Sequence, residues 1–458
     1  MAIATINPAT GLTEASFEAD SEAEVERKIA EAHAAYRTMR GTDYATRGAW
    51  MRQAAEVLES ESEDVARMLT LEMGKTIGQA RAEVAKSAKA MRFYADKAEE
   101  FLTGWELPDP SSVNASKAYV RYQPLGVVLA VMPWNYPLWQ VIRFAAPALM
   151  AGNAGLLKHA SNVPQAALYL DTLFERGGFP AGSFHSLLIP ASRVEGVLRD
   201  RRVVAATLTG SEPAGRSVAA IAGSEVKHVV LELGGSDPFI VLPSADLDAA
   251  ATMAVAARTS NNGQACINAK RFIVHTDAYD EFARLFGQKM AALKIGDPFD
   301  EATQLGPVAT ESGLQDLEVF VEDAIAKGAT LVTGGARVEG PGFFFQPTVI
   351  ADITPEMRLY AEEAFGPLAS LYRVESAEEA LRIANDTTFG LSSAVWTNDP
   401  AEEEFFVNGL DVGAVFVNGM SISYQELPFG GVKDSGIGRE LSAEGIREFT
   451  NLKTVWRA

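Results

Sequence analysis

Residues 126–132 read "GVVLAVM", a short and wholly apolar run entered through a glycine. Similar runs recur as "AGLLKHA" (154–160), "FHSLLIP" (184–190), "AATLTGS" (205–211) and "HVVLELGG" (228–235), with room between them for crossover helices. Runs apolar at every position belong to parallel strands buried on both faces. Between two of them, "SNVPQAALYLDTLFERGGFP" carries Pro164 near a helix start and Gly177, Gly178 and Pro180 past its end. A second series follows Glu232, with "RFIVHT", "ATLVTGG", "LASLYRV", "SSAVWT" and "GAVFVNG" as strands and "SAEEALRIAND" and "DPAEEEFFVNG" as helices. The pattern predicts an α/β protein of two open-sheet domains meeting at a cleft. Upstream, Asp43 to Leu102 reads as two long amphipathic helices.

Composition agrees with a folded, enzyme-sized protein: 458 residues, 47% hydrophobic and 22% charged. The net charge of -20 argues against nucleic acid and anionic membranes as partners. The most apolar stretch, 127–157, holds Pro133, Asn135, Pro137, Gln140 and Arg143, costly inside a bilayer, so no membrane span is expected. The N-terminus lacks a secretory pattern and a lone cysteine forms no internal disulfide, which together point to the cytoplasm. The five histidines lack metal-ligand spacing, so no metal site is expected. Nucleophile-elbow and Walker patterns are absent.

The single cysteine, Cys266, lies in "NNGQACINAK" (261–270), a polar turn-forming approach to a strand. It reads either as a small core hydrophobe or as a cleft thiol able to attack a carbonyl. "LTGSEPAG" (208–215) follows a strand and opens a helix, placing the amides of Gly210, Ser211 and Gly215 to face a pyrophosphate. Its glycine spacing departs from the usual dinucleotide fingerprint, and a plain strand-to-helix turn would look the same.

Taken together, "MPWNYPLWQ", "GLLKHAS", "LTGSEPAG", "LELGGSDP", "NNGQACINAK", "EEAFGPL" and "LPFGGVKDSGIGRE" resemble, in this order, the aldehyde dehydrogenase superfamily across nearly the whole chain. Within it the chain is most similar to the bacterial succinic semialdehyde dehydrogenases. The resemblance implies that Cys266 is the nucleophile, forming a thiohemiacetal and then a thioester. It implies that Asn135 and the backbone N–H of Cys266 hold the oxyanion, and that Glu232 is the general base for hydrolysis. Leu231 and Leu233 beside Glu232 suggest an apolar setting that raises its pKa. Pro133, Trp134, Lys158, Ser161, Gly210, Ser211, Gly215, Leu233, Glu363 and Phe365 are the implied cofactor contacts. Ser161 stands where many relatives have Glu, and so favours NADP over NAD.

The resemblance further implies a small semialdehyde whose carboxylate meets Arg143 and Ser423, the alternative for Arg143 being an internal ion pair with an Asp or Glu. Some relatives carry a second carboxylate-binding Arg where this chain has Ser260, with Arg258 nearby at a different spacing. Glutarate semialdehyde as substrate, or NAD as preferred cofactor, are the alternatives. The expected divisions are a Rossmann-like cofactor-binding domain over 1–231, a catalytic domain over 232–447, and a small oligomerisation extension from 110–128 and 448–458. A homodimer or homotetramer is implied. Two other classes are a cofactor-binding scaffold without turnover, and a cofactor-free thiol hydrolase, which lacks an evident His partner.

Overall fold

The computed structural model describes residues 3–458; Met1 and Ala2, the start of the expected first unit, lie outside the described residues. The first sheet has six strands in the spatial order Gly436–Ile437, His228–Glu232, Val203–Thr209, Val127–Met132, Ala154–His159, Phe184–Ser186, all parallel except the first. "GVVLAVM" is its centre, with Val203–Thr209 on one side and Ala154–His159 on the other. The winding direction reverses there, and such a switch point opens a crevice beyond the carboxyl ends of the strands.

The second sheet has seven strands: Thr330–Thr333, Thr348–Ala351, Leu368–Val374, Ala269–His275, Asp237–Val241, Ser393–Trp396 and Val415–Val417, antiparallel only at its first edge. The α/β class with two open sheets is as expected. The chain crosses between the sheets from Glu232 to Asp237. It then returns: Gly436–Ile437 rejoins the first sheet, and the helix Ser442–Glu448 packs on the buried helix Trp139–Ala151. The second unit, expected to run to 447, therefore ends earlier in space. A separate ribbon pairs Lys117–Pro124 with Thr450–Arg457, antiparallel along its whole length.

Asp43 to Leu102 forms three helices rather than two: Tyr44–Ser60, Ser62–Met73 and Ile77–Phe101. The second stops at Gly74, whose φ of +82° suits glycine and whose Cβ would meet Pro307 at 2.9 Å. Ile77–Phe101 lies along Trp139–Ala151, a helix buried at every position. Glu83 on the former caps the latter, its Oε1 accepting the amides of Leu138 and Trp139 at 2.9 Å each, while the same carboxylate pairs with buried Lys75. A distant carboxylate thus satisfies the first amides of the helix that follows Asn135.

Candidate active site

The loop before Cys266 is unusual in backbone and explains its own sequence. Asn261, Asn262 and Gly263 take φ of 56°, 57° and 77°, three left-handed residues in a row. Apart from glycine, asparagine tolerates this region best. Each side chain then fastens the loop: Asn261 Nδ2 donates to Asn135 O at 2.8 Å, and Asn262 Nδ2 to Gly74 O and Pro307 O at 2.8 and 2.9 Å. A Cβ at Gly263 would stand 2.3 Å from the carbonyl carbon of Gly366. Fully buried Arg258 donates to Gly263 O, Ala269 O and Gly366 O, binding this loop to the one carrying Glu363 and Phe365. Its guanidinium serves backbone carbonyls and is not free for a substrate.

Two cavities meet at Cys266. One, of about 250 Å³, is lined by Lys86, Trp139, Arg143, Ser423 and Phe429 among others. The other is lined by Pro133, Trp134, Asn135, Gly210, Ser211, Leu233, Glu363 and Phe365. Cys266 and Gln140 belong to both. The ring of Phe365 meets that of Trp134 edge-on at 5.6 Å, forming an aromatic wall.

Burial pushes the half-buried Cys266 thiol up to about 12, against the pull of Arg143 and Lys270. Asn135 Nδ2 gives one hydrogen to Gln264 O at 3.0 Å, leaving its second free, and the Cys266 amide has no acceptor among the described residues. Asn135 and Cys266 line the same cavity.

Glu232 lines neither cavity. Both of its carboxylate oxygens are buried without a hydrogen-bond partner, and Oε1 lies against Gly430. Burial first, and then the neighbouring Glu440 carboxylate, holds its pKa well above the usual range, with Arg143 opposing. Leu231 and Leu233, expected to create this setting, belong to a core cluster with Val203 and Val218. Alternation along a strand turns them to the opposite face from Glu232.

Arg143 faces the first cavity, but its guanidinium pairs with buried Glu440 and stacks 4.6 Å over the Phe429 ring. Its charge therefore has an internal partner, which the sequence left as the alternative. Two amide assignments also change. Gly210 N donates to Glu232 O at 3.0 Å and Gly215 N to Ser211 O at 2.9 Å, so neither amide is available to a pyrophosphate. Gly215 instead lets its helix approach the strand, since a Cβ there would touch Leu233 at 2.6 Å. From this turn Gly210 and Ser211 line the second cavity, Ser211 at the start of the helix Glu212–Ser224 with its hydroxyl making no capping bond.

Lys158 and Ser161 line neither cavity; they stand at and just past the end of the strand Ala154–His159, next to the strand that leads into Pro133 and Trp134. Lys158 is buried, its pKa lowered by that burial, and has no partner among the described residues. An unpartnered cation and a hydroxyl beyond the strand ends, with Ser211 and Glu363 in the crevice, fit a phosphorylated dinucleotide.

Three residues to which the sequence gave no role complete the site. Lys270 pairs with Glu363 at 2.9 Å and donates to the carbonyls of Ala265 and Cys266, linking the second cavity's carboxylate to the backbone that carries the thiol. Glu440 compensates Arg143. Lys86 contributes a cation to the first cavity.

Against known proteins, the aldehyde dehydrogenase family model matches residues 1–455. The chain is 61% identical over 457 residues to a Mycobacterium avium protein named succinate-semialdehyde dehydrogenase [NADP(+)], covering 100% of this chain and 97% of that one. It is 59% identical over 458 residues to a Mycobacterium tuberculosis protein named succinate-semialdehyde dehydrogenase [NADP(+)] 1, covering 100% of both. In structure it is similar to succinic semialdehyde dehydrogenase from Streptococcus pyogenes in complex with NADP+, with a TM-score of 0.96, 37% identity and 99% of both chains covered. With a thiol at the junction of two cavities and a full-length match, the chain belongs to the aldehyde dehydrogenase family.

Proposed function

We propose that this protein oxidises succinate semialdehyde to succinate with NADP. The observation that carries the reading is the Cys266 thiol shared by two cavities, one basic and one aromatic-walled beside the strand ends; the mycobacterial relatives' names support the same substrate and cofactor. The Cys266 sulfur adds to the aldehyde carbon while Arg143 and Lys270 favour its ionised form. The free hydrogen of Asn135 Nδ2 and the Cys266 N–H receive the developing oxyanion. NADP, when bound, supplies the hydride acceptor; Lys158, Ser161, Ser211, Glu363 and Phe365 would hold it. Water then cleaves the acyl group from Cys266. Glu232 serves as its base after losing the proton that burial and Glu440 make it keep, a loss that Arg143 favours, and after its side chain turns toward Cys266.

The test is a matrix of kcat/KM values for NADP and NAD against succinate semialdehyde, glutarate semialdehyde and butanal. The expected maximum is succinate semialdehyde with NADP, and Ser161→Glu, which sets a carboxylate near the 2'-phosphate, reverses the cofactor order. A maximum with butanal rejects the substrate; a wild type preferring NAD and unmoved by Ser161→Glu rejects the cofactor reading.

We also place the protein in the cytoplasm, where a lone catalytic thiol stays reduced; recovery in a membrane or secreted fraction would refute this. We further propose a homodimer or homotetramer formed through the ribbon, whose Leu452 and Trp456 are exposed in the single chain. Deleting residues 450–458 is expected to yield monomers in sedimentation, and an unchanged assembly would refute the role of the ribbon.

A further inference from the structure

We infer that Lys270 is a positioning residue for the oxyanion: it holds and polarises the amide that joins Ala265 to Cys266, whose N–H receives the developing charge. The inference rests on the nucleophile reading of Cys266 above. One peptide group has both ends engaged. Its oxygen, Ala265 O, accepts from Lys270 Nζ and from Asn268 N at 3.0 Å each, so both acceptor positions are filled, one of them by a cation. Its N–H has no acceptor among the described residues. An amide loaded at its oxygen donates more strongly at its nitrogen, because hydrogen bonds made through one peptide polarise one another.

The surroundings hold Lys270 to this task. Its side chain is buried, and three oxygens meet the three hydrogens of the ammonium: Ala265 O, Cys266 O and, at 2.9 Å, Glu363 Oε1. Asn268 fixes the turn from the other side, its Oδ1 accepting from Ala265 N at 2.6 Å and its Nδ2 donating to Ala257 O and Ser260 O. A Cβ at Gly235 would stand 2.9 Å from Cys266 O, so the chain leaves little space beside that carbonyl. The amide is thus oriented before any substrate arrives, as stabilisation of a transient charge requires. Burial raises the Cys266 thiol, and Arg143 and then Lys270 oppose it, so loss of Lys270 also reduces the thiolate. Alkylation by iodoacetamide reads the thiolate alone, since no oxyanion forms in that displacement. Acylation by p-nitrophenyl acetate reads thiolate and oxyanion together: the sulfur bonds to the carbonyl carbon, and collapse of the oxyanion expels p-nitrophenolate. Neither reaction needs NADP or a semialdehyde.

In Lys270→Met the buried Asp237, raised by burial to about 7, can take up a proton once the ammonium that opposes the shift is gone, so no buried charge is stranded there. The rate of acylation divided by that of alkylation, at one pH, should fall roughly tenfold, short of the roughly 100- to 1,000-fold that follows outright loss of an oxyanion donor. Lys270→Arg should recover part of it. With one cysteine in the chain, isotope labels on the alanine carbonyl carbon and the cysteine nitrogen meet in the Ala265–Cys266 amide alone. In NMR spectra of Lys270→Met both signals should move upfield, the direction expected when a carbonyl loses a hydrogen bond. Acylation and alkylation slowed alike, or signals that do not move, overturn the inference. If Lys270→Met does not fold, Lys270→Gln, an uncharged donor, carries the same comparison with a smaller fall. A wild type that releases no p-nitrophenol overturns the nucleophile reading, and the inference with it.

Discussion

The thiol of Cys266 and the carboxyl of Glu232 share a condition: burial disfavours the charged form of each, and Arg143 pulls each toward it. For the thiol, raised to about 12, alkylation by iodoacetamide in the free protein should accelerate about tenfold per pH unit from pH 7 to 9 without a plateau, read by mass spectrometry. A plateau below pH 8 would mean the thiolate is already formed. For Glu232, the stability from keeping its proton is full below the unfolded value of about 4.3 and is lost as pH rises through the higher folded value. Glu232→Gln has no proton to lose, so its melting temperature should exceed that of the wild type by a few degrees at pH 8 and by less at pH 5. At this scale the sequence exposed much of the site, because Cys266, Asn135 and Glu232 lie within recognisable motifs. Lys86 stayed hidden: within "EVAKSAKA" it reads as one more polar position on a helix, and its partner Ser423 is 337 residues away. The amides of Gly210 and Gly215 were misread because hydrogen bonding to Glu232 O and Ser211 O is not written in a glycine's spacing.

Among elements, the helix Trp139–Ala151 depends most on a distant group. Its first amides have no side-chain cap of their own, and Glu83 serves both Leu138 and Trp139 while neutralising Lys75, which lies 4.1 Å over the Tyr136 ring. Glu83→Gln leaves Lys75 an uncompensated buried charge and should cost about 3–5 kcal/mol, seen as a lowered urea midpoint. Adding Lys75→Met should restore part of that loss, because the pair rather than the carboxylate alone is what burial tolerates. An unchanged midpoint in Glu83→Gln would show the pair to be dispensable. The strands were legible because glycine and proline bracket their apolar runs. The helix boundary at Ser60–Glu61–Ser62 was not, since no glycine or proline marks it and the periodicity continues past it.

Over the whole molecule, the presence of two parallel-sheet units followed from the alternation of runs and crossovers, whereas the return of Gly436–Ile437 did not: two residues carry no periodicity. That return, with the bonds of Asn261 to Asn135 O and of Asn262 to Gly74 O, ties the second unit to the first beside Cys266. The same tethering reaches the peptide bond between Asn262 and Gly263, a dipeptide chemically prone to ageing. Deamidation requires the Gly263 nitrogen to attack the Asn262 side-chain carbonyl, closing a succinimide and expelling ammonia. In the fold that side chain is pinned by Gly74 O and Pro307 O on its nitrogen and by Gly306 N on its oxygen, at 2.8, 2.9 and 3.0 Å. Native protein should keep Asn262 through long storage, while the same chain in urea should convert it to aspartate and isoaspartate, both visible by peptide mapping. Time spent with the loop open is thus recorded irreversibly: a carboxylate at 262 would face the carbonyl oxygens of Gly74 and Pro307 on refolding, and their repulsion would oppose closure of the loop before Cys266.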